Sequence, residues 1–200
     1  MTMGETAVAL EQKKQPGREA YEWVQILVCS VLAVVLVFTF AVRGFRVDGP
    51  SMRETLQDGD MLLVLNDGLC GDYQPGDIVI LRKASFRDGK PIVKRVIATE
   101  GHTVDIDFEA GIVYVDGEAL EEDYTRESTR TPEGLDFPIT VPEGHLFVLG
   151  DNRNNSSDSR HPDLGAVDTR YIIGRALVLA FPGKTAEQDR REWSRIGVLK

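Results

Sequence analysis

Ser51 and Lys94 are the two residues of this sequence whose types and surroundings suggest catalysis. Ser51 lies in GPSMRETL, residues 49–56, where glycine and proline indicate a turn just before it. A serine hydroxyl is a weak nucleophile until a neighbouring base accepts its proton. Lysine can be that base when burial disfavours its charged form and so lowers its pKa. The pair therefore predicts acyl transfer, on condition that the fold buries Lys94 beside Ser51.

Lys94 stands in IVKRVI, residues 92–97, which has the composition of a β-strand. Side chains alternate between the two faces of a strand, so Lys94 shares one face with Ile92 and Val96, and Arg95 lies on the other. Each face thus carries one cation between two apolar residues. The segment is either an edge strand with solvated cations or a strand that buries at least one of them.

A polar loop, GDNRNNSSDSR at residues 150–160, directly follows the apolar segment LFVL. It is either a solvated loop or one that positions side chains at a site. A calcium loop does not fit, because Arg153 occupies what would be a ligand position and no acidic twelfth residue follows. Its density of hydrogen-bonding residues after an apolar strand favours a role in a site.

Other bases and metal ligands have less support. The three histidines, His102, His145 and His161, lie in no motif, although chain order alone leaves a Ser–His arrangement open. The sequence has no HExxH or CxxC spacing, so we expect neither a metal nor a cofactor. It also has no SxxK, the motif of Ser–Lys enzymes of the penicillin-binding type. Cys29 and Cys70 are interpreted as unpaired small residues.

The elements that must position these residues are mainly β-strands. Short runs rich in Val, Ile and Leu alternate with turns of Gly, Asp and Pro, which is typical of an antiparallel β-barrel or sandwich. The predicted strands are residues 61–65, 77–81, 92–99, 103–108, 112–115, 146–149 and 172–181. A charged stretch, residues 118–142, interrupts them as a small inserted loop or subdomain.

An apolar run of 19 residues, 24–42, precedes this β-rich part and contains only Gln25 as a strongly polar residue. As a helix it can cross a hydrocarbon core of about 30 Å. The alternative is a cleaved signal peptide, whose apolar region is usually shorter. We therefore predict a cytoplasmic segment (1–23), a transmembrane helix (24–42), an extracytoplasmic β-rich domain (43–182) and a tail (183–200).

The composition limits the classes of binding partner that we expect. The 200 residues carry a formal net charge of −9 and show no clustered basic stripe. Phosphate binding needs such clusters of Lys and Arg, so nucleic acid is not an expected partner.

The sequence resembles the bacterial type I signal peptidases, also called leader peptidases, and in particular a compact Gram-positive-type member. The resemblance lies in an amino-terminal span followed, in order, by four segments: GPSMRETL, GDIVILRK, KRVIATEG and GDNRNNSSDSR. The resemblance covers residues 24–181. It implies an antiparallel β domain around a Ser–Lys dyad, in the plasma membrane of a bacterium. The implied partners are membrane lipid and exported preproteins, which are cleaved after small residues at −3 and −1.

By the same resemblance, Ser51 is the nucleophile, Lys94 the general base and Ser156 a residue that orients the lysine. Asp158 and Arg160 are expected to form a supporting ion pair. The residues expected to line apolar substrate pockets are Phe45, Val47, Met52, Leu56, Ile92 and Val93.

Two departures from the family pattern lie near the nucleophile. Gly49 stands where some members have a serine that helps to stabilise the oxyanion, which leaves that task to the backbone N–H of Ser51. Glu54 replaces a common proline.

Two other functions remain as alternatives. A self-cleaving Ser–Lys peptidase of the repressor type would share the β fold, but it would be soluble and the apolar run counts against it. A membrane-tethered β-domain without activity is the other alternative, and the intact Ser51, Lys94 and Ser156 count against that.

Overall fold

The structure is a computed structural model that describes residues 16–184 and 190–199. It divides into two compact units, Met1–Thr39 and Phe40–Lys200. Most of the predicted cytoplasmic segment, residues 1–15, and part of the predicted tail lie outside the described residues.

The described part of the first unit is an apolar helix. Helix α1, Pro16–Leu36, continues into a short π-helical turn, Val37–Ala41. The segment Arg18–Ala41 is long and apolar enough to cross a membrane. Two hydroxyl groups in it donate to carbonyl oxygens one turn earlier, Ser30 to Ile26 at 2.7 Å and Thr39 to Val35 at 2.6 Å. These internal hydrogen bonds make both hydroxyls compatible with a hydrocarbon surrounding.

The second unit is built from short β-strands. In chain order they are β1 (Val42–Arg46), β2 (Met61–Asn66), β3 (Ile78–Leu81), β4 (Ile92–Thr99), β5 (Thr103–Asp107), β6 (Ile112–Val115), β7 (Glu118–Ala119), β8 (Ile139–Thr140), β9 (His145–Leu149), β10 (Val167–Asp168), β11 (Ile172–Phe181) and β12 (Gly197–Val198). Each predicted strand corresponds to one of these, within one residue at either end.

The strands form two sheets whose described pairings are all antiparallel. The main sheet has the order β1-β2-β11-β3-β4-β9-β10, with β12 added to β11, and the smaller sheet has the order β7-β6-β5-β8. The predicted mainly β, antiparallel fold behind one amino-terminal helix is therefore confirmed. The stretch 118–142 contributes β7 and β8 to the smaller sheet.

Strand β4 lies inside the main sheet, between β3 and β9, and its residues 92–98 are all buried. The edge-strand alternative for this segment is therefore wrong. Three apolar clusters pack around the two sheets, and β4 contributes residues to each of them. This central position is what removes Lys94 and Arg95 from water.

Candidate active site

Lys94 and Ser51 are in direct contact. Lys94 Nζ donates a hydrogen bond to Ser51 Oγ at 2.8 Å and a second one to the carbonyl oxygen of Val93 at 3.1 Å. Lys94 is completely buried, and this burial lowers its pKa to about 8. The carboxylate of Asp158 opposes the change and the guanidinium of Arg87 adds to it. Lysine with such a pKa is unprotonated in an appreciable fraction of molecules near neutral pH, so it can accept the proton of Ser51.

The polar loop holds the segment around Ser51 in place. The backbone N–H of Asn152 donates to the carbonyl oxygen of Ser51 at 3.0 Å, and its side-chain amide donates to that of Pro50 at 3.0 Å. Thr55 donates its hydroxyl to Asp151 at 2.5 Å. Ser51 is thereby fixed from both sides by a loop about a hundred residues away in sequence.

The carboxyl-terminal part of the chain stabilises the residues that follow Ser51. Asp60 is completely buried, accepts the N–H of Gln57 at 2.7 Å and forms an ion pair with Arg195 at 2.6 Å. Arg195 also donates to the carbonyl oxygen of Thr55 at 3.2 Å. A largely buried ion pair whose hydrogen bonds are satisfied restricts the conformations of the segments that it joins.

Gly49 lies two residues before Ser51 and has a φ of +96°. This is a backbone conformation that glycine adopts freely and other residues rarely do. Its N–H donates to Asp58 at 2.9 Å. The turn therefore favours glycine at this position, which gives a conformational reason for the missing serine.

Asp158 and Arg160 form the predicted ion pair, and both are completely buried. The guanidinium contacts both carboxylate oxygens, at 2.8 and 2.9 Å. Ser156 donates its hydroxyl to Asp158 at 2.7 Å. Of the hydrogen bonds found in the described residues, none joins Ser156 to Lys94. Ser156 contacts Asp158 instead, and the carboxylate of Asp158 acts electrostatically to raise the pKa of Lys94.

Sequence reasoning missed Gly150, the first residue of the polar loop. A side-chain carbon there would lie 2.1 Å from the hydroxyl of Ser156 and 2.6 Å from the carbonyl oxygen of Ser51. Only glycine permits this close approach of the two segments. Its N–H donates to Asp158 at 3.0 Å, so Gly150 joins the ion pair to the segment around Ser51.

Two further buried arginines were also missed. Arg95 contacts both carboxylate oxygens of Asp151, at 2.9 and 2.8 Å, and lies 4.0 Å from the ring centroid of Tyr124. Arg153 pairs with Glu122. The signal for Arg95 was present in the sequence, since alternation places it between Val93 and Ile97 on an apolar face, but its partners lie too far along the chain to be inferred.

The six residues expected to line apolar pockets do not form one surface. Val47, Met52, Leu56 and Val93 are buried in a single apolar cluster, with the half-buried Phe45 against it. Ile92 belongs to another cluster, on the opposite side of β4.

The histidines have partners of their own. His102 contacts Asp116 at 2.6 Å, His145 contacts the carbonyl oxygen of Glu143 at 2.8 Å, and His161 packs edge-on against Phe86. In residues 16–184 and 190–199, no histidine is hydrogen-bonded to Ser51, and no group of three or more potential ligands could hold a metal ion.

A buried lysine in contact with a serine, inside an antiparallel β domain, defines the class of candidate Ser–Lys hydrolases. Comparison with known proteins specifies the family: residues 20–181 match the family model described as "Signal peptidase, peptidase S26". The chain therefore belongs to the peptidase S26 family of signal peptidases, as its resemblance predicted.

Two relatives known from their sequences support the same assignment. The chain is 34% identical to signal peptidase I of Bacillus licheniformis, over 86% of this chain and 94% of that protein. It is 36% identical to the probable signal peptidase I-1 of Synechocystis sp., over 86% and 84% of the two chains. A crystal structure of a signal peptidase I from Enterococcus faecalis V583 matches with a TM-score of 0.43 at 33% identity, over 53% of this chain and 97% of that chain.

Proposed function

We propose that Ser51 is the nucleophile and Lys94 the general base of a membrane-anchored signal peptidase that cleaves exported preproteins. The observation that carries this assignment is the 2.8 Å hydrogen bond between Lys94 Nζ and Ser51 Oγ, formed by a lysine that is completely buried. Membership of the S26 family supports the reaction class, because the family's members are signal peptidases.

In the proposed mechanism, neutral Lys94 accepts the proton of Ser51 as Oγ attacks the carbonyl carbon of residue −1. The resulting oxyanion accepts a hydrogen bond from the backbone N–H of Ser51, since Gly49 has no side chain that could donate one. Protonated Lys94 then gives its proton to the leaving amine, which departs with the mature protein. Lys94 next activates a water molecule that hydrolyses the acyl-enzyme and releases the signal peptide.

The substrate side chains at −3 and −1 are expected to be small. This expectation comes from the family resemblance, which implies shallow apolar pockets. Among the residues that the structure describes, Met52 and Leu56 are almost completely buried and line no open pocket. Shallow contacts bind weakly. Anchoring the peptidase and its substrate in one membrane raises their effective concentration and offsets that weakness.

The direct test is cleavage of a purified preprotein by the full-length protein in detergent, with identification of the new amino terminus by mass spectrometry. The same assay separates a peptidase from an inactive membrane-tethered β-domain, and the Ser51→Ala variant considered in the Discussion shows whether this serine is responsible.

We expect Ser156→Ala to lower kcat by about 10²-fold or more without abolishing cleavage, because Ser156 acts through Asp158 rather than on the substrate. A merely structural role would lower the melting temperature and leave the pH profile unchanged. The measurement is therefore the pH dependence of kcat/KM beside a thermal melt. An unchanged rate and profile would remove Ser156 from the site.

The β-rich unit is proposed to lie outside the cytoplasm, with the amino terminus inside, because signal-peptide cleavage sites emerge on the outer face. Protease added to spheroplasts should digest a carboxyl-terminal tag and spare an amino-terminal one. Protection of the carboxyl-terminal tag in intact spheroplasts, with digestion only after lysis, would contradict this topology.

A further inference from the structure

A polar cavity of about 460 Å³ opens beside Ser51. One wall is the nucleophile segment, residues 48–51, and the others are the turn at Arg87, the stretch with Thr131 and Glu133, and residues 154–157 of the polar loop. Of the six residues predicted to line apolar pockets, none lines this cavity. The cavity is therefore polar and separate from the residues that the family resemblance assigns to the −3 and −1 side chains.

Arg87 presents a cation to this cavity. Its side chain is exposed, and within the described part of the chain its guanidinium makes no ion pair or hydrogen bond. Its backbone has a φ of +49°, in the left-handed region that non-glycine residues seldom occupy.

The turn that carries Arg87 is anchored on both sides. Phe86 before it is buried and packs edge-on against His161, with ring centroids 5.7 Å apart. Arg82 donates to the carbonyl oxygen of Gly89 at 2.7 Å. Because the turn is held in this way, the base of the Arg87 side chain has a fixed position at the mouth of the cavity.

Two carboxylates share the cavity with Arg87. Glu133 is half-buried, and one of its oxygens already accepts the N–H of Asp158 at 2.9 Å. Asp48 is exposed, on the nucleophile segment. Arg87 is the one cationic side chain among the described residues that line the cavity.

We propose that this cavity receives the first residues after the scissile bond and that Arg87 makes it favour an acidic side chain there. The inference rests on the proposed function, in which an extended substrate passes Ser51. Its small residues at −3 and −1 occupy the apolar side, so the residues at +1 and +2 enter the polar side. A carboxylate at one of these positions pairs with Arg87, whereas an ammonium group is repelled.

The test uses preproteins that are identical except for Glu, Gln or Lys at +1, or the same set at +2. For the wild type at low salt, we expect kcat/KM for Glu to exceed that for Lys by roughly tenfold at one of the two positions. The comparison adds the attraction between Arg87 and a carboxylate to the repulsion between Arg87 and an ammonium group, and each has the strength of an exposed ion pair. The ratio should fall toward one in about 1 M salt, which screens exposed charges.

Two variants assign the preference to Arg87. Arg87→Glu should reverse the Glu-to-Lys ratio, and Arg87→Gln should bring it close to one. Lys90→Glu is the matched control, because it makes the same charge change just after the same turn, outside the cavity. It should keep the wild-type ratio. Comparing ratios within each variant cancels any effect of Arg87 on the pKa of Lys94.

An unchanged ratio in Arg87→Glu, or equal cleavage of all three substrates by the wild type, overturns the inference and leaves the peptidase assignment intact. A wild-type preference for Lys also overturns it, and assigns the cavity to Asp48 and Glu133 instead. Failure of the wild type to cleave even the Gln substrate overturns the proposed function, and with it this inference.

Discussion

Ser51→Ala is expected to abolish cleavage of preproteins, with a loss in kcat of at least about 10⁴-fold, the scale measured when the nucleophile of a serine peptidase is removed. The substitution removes the hydroxyl that Lys94 Nζ contacts at 2.8 Å and little volume. Lys94 retains its hydrogen bond to the carbonyl oxygen of Val93, so the cost in folding free energy should stay near 1 kcal/mol, the usual net contribution of one hydrogen bond.

The measurement pairs a cleavage time course with circular dichroism and a thermal melt. Ser85→Ala is the matched control, because Ser85 is an exposed serine on a turn of the same unit and should tolerate the change in both assays. Cleavage by purified Ser51→Ala at the wild-type rate would mean that another residue is the nucleophile. Loss of the folded signal together with activity would leave the role to be decided by Ser51→Cys, which preserves the side-chain size and a weaker hydrogen-bonding group.

Local pattern predicted much of the fold. The alternation in residues 92–97 correctly predicted a strand with Lys94 and Arg95 on opposite faces, and the turn residues correctly separated the other predicted strands. Strand β1 was missed because VRGFR has one glycine and two arginines among five residues, which is a weak strand signal. It pairs along its whole length with β2, so tertiary pairing rather than local propensity determines its conformation.

The apolar run correctly predicted a helix but not the residue at which it ends. The predicted span ended at Val42, whereas that residue is the first of β1. Hydropathy alone cannot distinguish an apolar residue in a helix from one in a strand, and Val42 is both apolar and favourable to a strand.

The parts of the site that the sequence could not predict all depend on long-range contacts. Gly150 matters because Ser156 and Ser51 approach it from different segments, and Arg95 because Asp151 comes close only when β4 pairs with β9. The choice between a solvated and a buried Lys94 likewise depended on the position of β4 in the sheet. The family resemblance supplied the roles of Ser156 and Asp158, while the hydrogen bond that links these two residues came from the structure.

The buried cations around the site differ in their hydrogen-bond acceptors. Three arginines that are almost completely buried, Arg95, Arg153 and Arg160, each have a carboxylate partner, whereas Lys94 has a hydroxyl and a carbonyl as its hydrogen-bond acceptors. An ion pair stabilises the charged form of a buried cation, and neutral acceptors do so less. Burial therefore lowers the pKa of the lysine, whereas each arginine is held by an ion pair that fixes a loop.

Lys94→Arg and Lys94→Met are both expected to be inactive at every accessible pH. Arginine keeps the positive charge but does not lose its proton, and methionine keeps much of the apolar stem without any basic group. The methionine variant is included because the larger guanidinium of arginine could disturb the packing at a completely buried position. Lys90→Arg, an exposed lysine of the same unit, is the control and should retain wild-type activity. Thermal melts of all three variants show which of them remain folded.

The pH profile of the wild type follows from the pKa of Lys94, which burial lowers from 10.5 to about 8. The neutral form is the active one, so kcat/KM should rise about tenfold per pH unit below that pKa and level off above it. A lysine with its ordinary pKa would instead keep rising to about pH 10. Appreciable, pH-dependent cleavage by folded Lys94→Met would place the general base elsewhere, and a midpoint near 6.5 would indicate a histidine, because only that side chain ordinarily titrates there.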